Sequence, residues 1–272
     1  MATDYYNLNK NYHTHTYRCK HAFGDIDDYC LAALDNGLEV LGFSDHTPFP
    51  DNKWLAIRMN IRELDEYSAA IDEARETYAG RLTVLKGLEC EYRPECDEFY
   101  KSELLEKRRF DYLVLGSHFF IRNGKYVCSF GEIVDRKSLM EYTEHLISAM
   151  KTGFFDFVAH PDLFGNSYSE WDQNCIDASR MIFETAEELG IPLEINGCGI
   201  RKGLADYNGI IRFQYPLEQF WELASGYDIR VLVNSDAHMP EDIVDNMSAA
   251  AAIAEKFNLK YADMSSLEEK WK

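Results

Sequence analysis

The sequence is poor in basic residues. It holds 28 Lys and Arg against 47 Asp and Glu, a formal charge of −19 at pH 7. Such a surface repels a phosphate backbone, so no nucleic-acid partner is expected. The net charge says little about a small substrate, because cations inside a pocket can dominate its field. No stretch approaches the roughly 18 consecutive apolar residues of a membrane span, so no membrane partner is expected. The opening MATDYYNLNK has no basic start followed by an apolar run, and no secretory leader is expected. Cysteine is sparse, with seven residues, an odd number, and no C-x-x-C pair. This argues against a disulfide framework and fits a reducing cytoplasm. The seven are read as small apolar residues or plain thiols. Internal repeats, low-complexity segments and Pro-, Gly- or Ser-rich linkers are also missing. One domain over residues 1–272 is expected, a normal length for a single α/β barrel.

What is present is alternation. Short runs rich in Val, Ile, Leu, Phe and Tyr predict strands at Asn11–Thr16, Val40–Ser44, Leu82–Glu89, Tyr112–Ser117, Phe155–Ala159, Pro192–Asn196 and Arg230–Ser235. Between them, amphipathic stretches predict helices over Ile26–Asn36, Ile61–Tyr78, Ser138–Lys151 and Gln173–Leu189. Each helix closes near a glycine, at Gly37, Gly80, Gly153 and Gly190. A repeated β-α rhythm implies a mainly parallel sheet. Seven units favour a closed or nearly closed barrel, with a doubly wound open sheet as the alternative.

The eight histidines follow this rhythm. His13, His15, His21, His46, His118, His160 and His238 fall at or just after predicted strand ends; only His145 lies inside a predicted helix, where it reads as an exposed surface residue. In a parallel barrel all strand C-terminal ends meet at one rim, so residues distant in sequence converge there. His13 and His15 are spaced i, i+2, which puts both imidazoles on one face of a strand. Asp236 and His238 repeat that spacing, and Glu89 closes the third strand. A lone histidine after a strand is usually a hydrogen-bonding loop residue. So many strand ends carrying histidine, with acids beside them, point to a metal site instead. Imidazole together with carboxylate suits Zn²⁺, Fe or Mn²⁺.

The ordered set His13-Thr14-His15 with His21, Ser44-Asp45-His46, Gly87-Leu88-Glu89, Ser117-His118-Phe119, His160-Pro161, Asn196 to Lys202 (NGCGIRK) and Ser235-Asp236-Ala237-His238 resembles the PHP (polymerase and histidinol phosphatase) superfamily. Within it the chain is similar to the monofunctional histidinol-phosphate phosphatases, over nearly its whole length. The resemblance implies a single-domain, distorted (β/α)₇ barrel. It implies two to three divalent transition metal ions (Zn, Fe or Mn). His13, His15, Glu89 and Asp236 would hold the first, Glu89, His118 and His160 the second, and His21, His46 and His238 the third. It implies a metal-activated hydroxide attacking phosphorus in line with the leaving alkoxide. The implied substrate is a small phosphate ester, L-histidinol phosphate of histidine biosynthesis. Another small phosphomonoester or a nuclease activity is the alternative.

By the same resemblance Arg201 would bind phosphate; Lys202 beside it reads equally as a phosphate contact or as a solvent-exposed residue. The stretch His160-Pro161-Asp162-Leu163-Phe164-Gly165 lacks a second phosphate-binding arginine that some histidinol phosphatases carry there. Either Arg18 or Lys20 substitutes, or the substrate differs. Asp162 reads as an exposed loop acid sooner than as a proton donor. Cys19, Cys90 and Cys198 lie near the proposed site without being needed as ligands. Trp54, Glu91 and Tyr92 are available for the amino-imidazole end of the substrate.

Overall fold

The computed structural model describes residues 8–271. The part of the leader reading that falls on residues 1–7 lies outside the described residues. The strands in chain order are β1 (Lys10–Asn11), β2 (Val40–Phe43), β3 (Thr83–Glu91) and β4 (Tyr112–Gly116). A hairpin of β5 (Phe119–Arg122) and β6 (Lys125–Cys128) follows, then β7 (Phe157–Val158) and β8 (Leu193–Asn196). A second hairpin, β9 (Leu204–Tyr207) and β10 (Ile210–Phe213), precedes β11 (Arg230–Asn234) and β12 (Lys260–Tyr261).

One eight-stranded sheet runs in the order β1-β2-β3-β4-β7-β8-β11-β12, and its strand pairs are parallel. The order follows the sequence without reversal, which rules out the doubly wound alternative, since that fold needs a switch point. The predicted first strand is shorter than expected. Its ladder stops at Asn11, and the chain pairs again at Thr14, with Ala237 beyond β11. The His15 amide donates to the Ala237 carbonyl at 2.9 Å. This contact brings the first and seventh strands side by side and curls the sheet into a distorted barrel. The two-residue β12 adds an eighth strand outside β11 that sequence reading missed.

The four predicted helices form as Ile26–Asp35, Leu64–Thr77, Arg136–Met150 and Gln173–Leu189. Asp25 and Asp135 cap two of them with reciprocal side-chain bonds. Gly190 takes a left-handed φ of 67° and ends the last one, which a side chain would resist. That helix buries Cys175, Ala178, Ile182, Phe183 and Ala186, a stripe at helical spacing. Phe183 is fully buried, and truncating it to Ala would cost about 3–5 kcal/mol. The helices Glu218–Ala224 and Met247–Lys256 complete the outer layer and were not foreseen. Among the described residues no helix is long and apolar enough to cross a membrane.

A second apolar cluster, including Tyr12, Leu85, Tyr112, Val114, Phe157 and Leu232, fills the barrel. Tyr112 spans it, its hydroxyl bonding the Tyr12 carbonyl at 2.7 Å. A Cβ at Gly42 would lie 2.3 Å from that hydroxyl and one at Gly87 2.4 Å from the ring. The glycines thus make room for the plug. With the middle filled, the strand C-terminal ends are left as the open, polar rim.

Candidate metal centre

Seven of the eight histidines meet at that rim. His13 and His15 turn their Nε2 atoms to within 3.1 Å of each other. Asp236, just past β11, brings Oδ1 to 3.2 Å from His15 Nε2 and 3.6 Å from His13 Nε2. Glu89, near the end of β3, places Oε2 2.9 Å from His46 Nδ1 and 3.5 Å from His15 Nε2. Its other oxygen, Oε1, lies 3.1 Å from His160 Nε2 and 3.7 Å from His118 Nε2. A Cβ on Gly116 would sit 2.7 Å from Oε1, so the neighbouring strand must carry glycine for Glu89 to fit. The rings of His21, His46 and His238 gather beside this core, with centroids 5.3 Å apart for His21 and His46 and 4.9 Å for His21 and His238.

The donor chemistry suits divalent cations. Asp236 Oδ1 is buried and has no hydrogen-bond partner, although imidazole nitrogens face it. Lone pairs pointed at one another repel unless a cation or proton lies between them. Groups that include His13, His15 and Asp236, or His15, His46 and His238, have their ligand atoms within 4.8 Å of one another. Burial lowers His15, His21 and His46 from the usual imidazole range and takes His238 to about 4, whereas the carboxylates around His13 and His118 outweigh burial and raise both. Burial opposes ionisation of Glu89 and Asp236, yet the imidazoles around them hold both well below the usual carboxylate range. Neutral imidazole and ionised carboxylate are the ligand forms.

Two carboxylates that sequence reading did not assign to the metal ligands hold them in place. Glu194 on β8 is fully buried and lies 2.8 Å from His13 Nδ1. It also accepts from the His160 amide at 3.2 Å and from the side-chain amides of Asn196 and Asn234. Glu91 on β3 lies 2.8 Å from His118 Nδ1 and accepts from the His118 amide at 3.0 Å. Such partners fix the tautomer and direction of a ligand histidine. His160 and Asp236 have φ values of 32° and 49°, in the left-handed region. This strain needs local support. Glu194 supports His160, and Arg201 supports the other turn, donating to the carbonyls of Asp236 at 2.8 Å and Ser235 at 3.2 Å.

That placement bears on several expectations. Arg201 is not among the residues lining the cavity over the histidines, and its Nε pairs with Asp242 at 3.1 Å. Lys202 lines the cavity instead, its Nζ donating to Tyr215 Oη at 2.6 Å. Arg18 is buried against Asp25, and Lys20 donates to the Leu55 carbonyl at 2.6 Å, so neither reaches the cavity wall. Asp162, expected exposed, is buried; it accepts from the Leu217 amide, and burial raises it to about 7. His145 lies in a helix as expected but is half-buried, 3.1 Å from the Tyr92 carbonyl. Glu91, Tyr92 and Trp54 do not line the cavity: the first holds His118, the second packs on His145, and the third stacks on Phe119. All seven cysteines are free.

The chain has relatives among known proteins in sequence and in fold. The PHP domain family model matches residues 11–197. A Deinococcus radiodurans protein named as a probable histidinol-phosphatase is 31% identical, with 85% of this chain and 86% of that protein covered. The Bacillus subtilis histidinol-phosphatase is 25% identical over 85% of this chain and 94% of its own length. The fold matches that of Lactococcus lactis histidinol phosphate phosphatase, solved with zinc, L-histidinol and phosphate. The TM-score is 0.73 at 14% identity, covering 95% of this chain and 97% of that one.

Proposed function

The chain belongs to the PHP domain family, and on that premise we propose that it is a metal-dependent phosphatase acting on L-histidinol phosphate. The products are L-histidinol and phosphate, and the whole chain serves as one cytoplasmic phosphoesterase domain. The observation that carries the reading is Glu89, whose two oxygens each face histidines from different strands.

Three metal positions are proposed, for zinc, iron or manganese. His13, His15, Glu89 and Asp236 hold the first; Glu89, His118 and His160 the second; His21, His46 and His238 the third. Ions bound there supply a water of lowered pKa and a positive field for the charge that builds on the phosphate oxygens. Glu89 and Asp236 stay ionised and bind. Glu194 and Glu91 orient His13 and His118. Lys202 takes the role first expected of Arg201 and meets the phosphate from the cavity side.

The test is phosphate release by the metal-loaded protein from a panel of phosphomonoesters that includes L-histidinol phosphate. Release from that compound is expected, and Glu89→Ala or Asp236→Ala should abolish it. Lys202→Ala should leave metal content intact and lower kcat/KM about tenfold to a hundredfold, mainly through KM. Release from other phosphomonoesters but not from histidinol phosphate would keep the chemistry and discard the substrate.

A further inference from the structure

The cavity above the histidines, about 480 Å³, has two unlike walls. One is the ligand cluster. The other comes from the β5–β6 hairpin and the loop that follows it, with Ile57 alongside. Phe119 and Cys128 are directly paired across the hairpin, so their side chains share a face, and both line the cavity. Phe130 follows, its ring within 10° of parallel to that of His118 at 6.0 Å.

This wall is rigid. Trp54 stacks on Phe119 from behind at 4.1 Å. The buried Ser129 ties the hairpin's end to the ligand strand: its amide donates to the His118 carbonyl at 2.7 Å and its hydroxyl to the Ser117 carbonyl at 2.6 Å. The Ser167 hydroxyl adds a third tie, to the Ser129 carbonyl at 3.0 Å. Phe119, Cys128 and Phe130 are therefore held on the cavity wall before substrate arrives.

The wall also lacks charge. Among the described residues that line the cavity, the only carboxylates are Glu89 and Asp236, both assigned to metal. The one lysine or arginine is Lys202, whose Nζ lies 5.0 Å from the Phe130 ring, at the junction of the two walls. A leaving group seated against Phe119, Cys128 and Phe130 meets aromatic faces and a thiol, with no acid to pair with an ammonium and few groups to bond a polyol. A flat ring gains from such faces, and a neutral imidazole is one.

We infer that the β5–β6 hairpin forms the leaving-group pocket, that it selects phosphate monoesters whose alcohol carries a flat uncharged ring, and that it does not read a primary amine. This rests on the phosphatase reading above. It narrows that reading from one named substrate to a class, defined by the ring.

The experiment compares kcat/KM of the zinc-loaded full chain at pH 8, where imidazole is neutral. The substrates are L-histidinol phosphate, 3-(imidazol-4-yl)propyl phosphate, 3-phenylpropyl phosphate and glycerol 3-phosphate. Removing the amine should change kcat/KM by no more than about threefold, and phenyl should replace imidazole within about tenfold. Glycerol 3-phosphate should fall roughly a hundredfold or more below the ring-bearing esters. Phe130→Ser should lower kcat/KM for the ring-bearing esters about tenfold more than for glycerol 3-phosphate, through KM. A loss of roughly thirtyfold on removing the amine would overturn the inference, as would glycerol 3-phosphate turning over as well as the ring-bearing esters. Cleavage of 3-phenylpropyl phosphate without cleavage of histidinol phosphate would remove the named substrate and leave the ring pocket standing. Equal turnover of all four would remove the pocket and leave the phosphatase standing.

Discussion

Arg201 donates a hydrogen bond to the main-chain carbonyl of Asp236 at 2.8 Å, bracing a residue whose φ of 49° few side chains tolerate. The guanidinium is held in turn by Asp242 at 3.1 Å. An arginine used in this way acts on the metal site through the backbone.

The variant Arg201→Ala should therefore lose metal. Affinity for zinc, read by competition with a chelator, should fall about tenfold to a hundredfold. Once metal is saturating, inhibition by inorganic phosphate should stay within about threefold of wild type. Weakened phosphate inhibition at full metal content would return Arg201 to the phosphate.

Glu194→Gln tests the support behind the first ligand. The amide has the size of the carboxylate but not its charge, and His13 loses its anionic partner at 2.8 Å. Zinc affinity should drop by about one to two orders of magnitude, with little change in the circular dichroism spectrum. Wild-type affinity in this variant would make Glu194 a packing residue only.

His145→Ala separates the eighth histidine from the other seven. Its Nε2 donates to the Tyr92 carbonyl, and its ring packs on Tyr92 and Tyr126. Turnover should stay near wild type while stability falls by about 1–2 kcal/mol, measured by urea denaturation. An inactive, folded variant would join His145 to the site.

Asp156 gives a pH-dependent prediction away from the metal. Burial raises its folded pKa to about 6, against the Leu113 amide that donates to it. The folded state thus holds a proton that the unfolded chain has released. Its contribution is fully present below about pH 4, where both states are protonated, and is lost as pH rises through about 6. Asp156→Asn should gain stability over wild type across that window and keep the gain above it. Partial solvent exposure limits the gain to about 1–2 kcal/mol. A difference between the two proteins that does not vary with pH would exclude this origin.

The meeting of Glu89, His160 and Asp236 at one rim was readable because parallel strands deliver their ends there. The supporting carboxylates were not, because a buried acid such as Glu194 reads as one polar letter in Leu193-Glu194-Ile195-Asn196. An acid inside a fully buried parallel strand is itself a signal, since it must find partners there. The choice between Arg201 and Lys202 depends on the direction of two neighbouring side chains in a short helical turn, which composition does not encode. The hairpins did announce themselves. Asn123-Gly124 and Asn208-Gly209 both take positive φ, the two-residue turn that Asn-Gly prefers. A β-α rhythm of parallel strands has no place for such antiparallel pairs, which sit outside the barrel sheet.

The bridge between Thr14 and Ala237 has a consequence in time. Among the candidate ligands, His13 and His15 are translated first and Asp236 and His238 last. At about 5–20 residues per second, roughly 11–44 s pass between the synthesis of His15 and that of Asp236. The first proposed ion position draws on both ends of that interval. The full set therefore cannot assemble until Asp236 has left the ribosome.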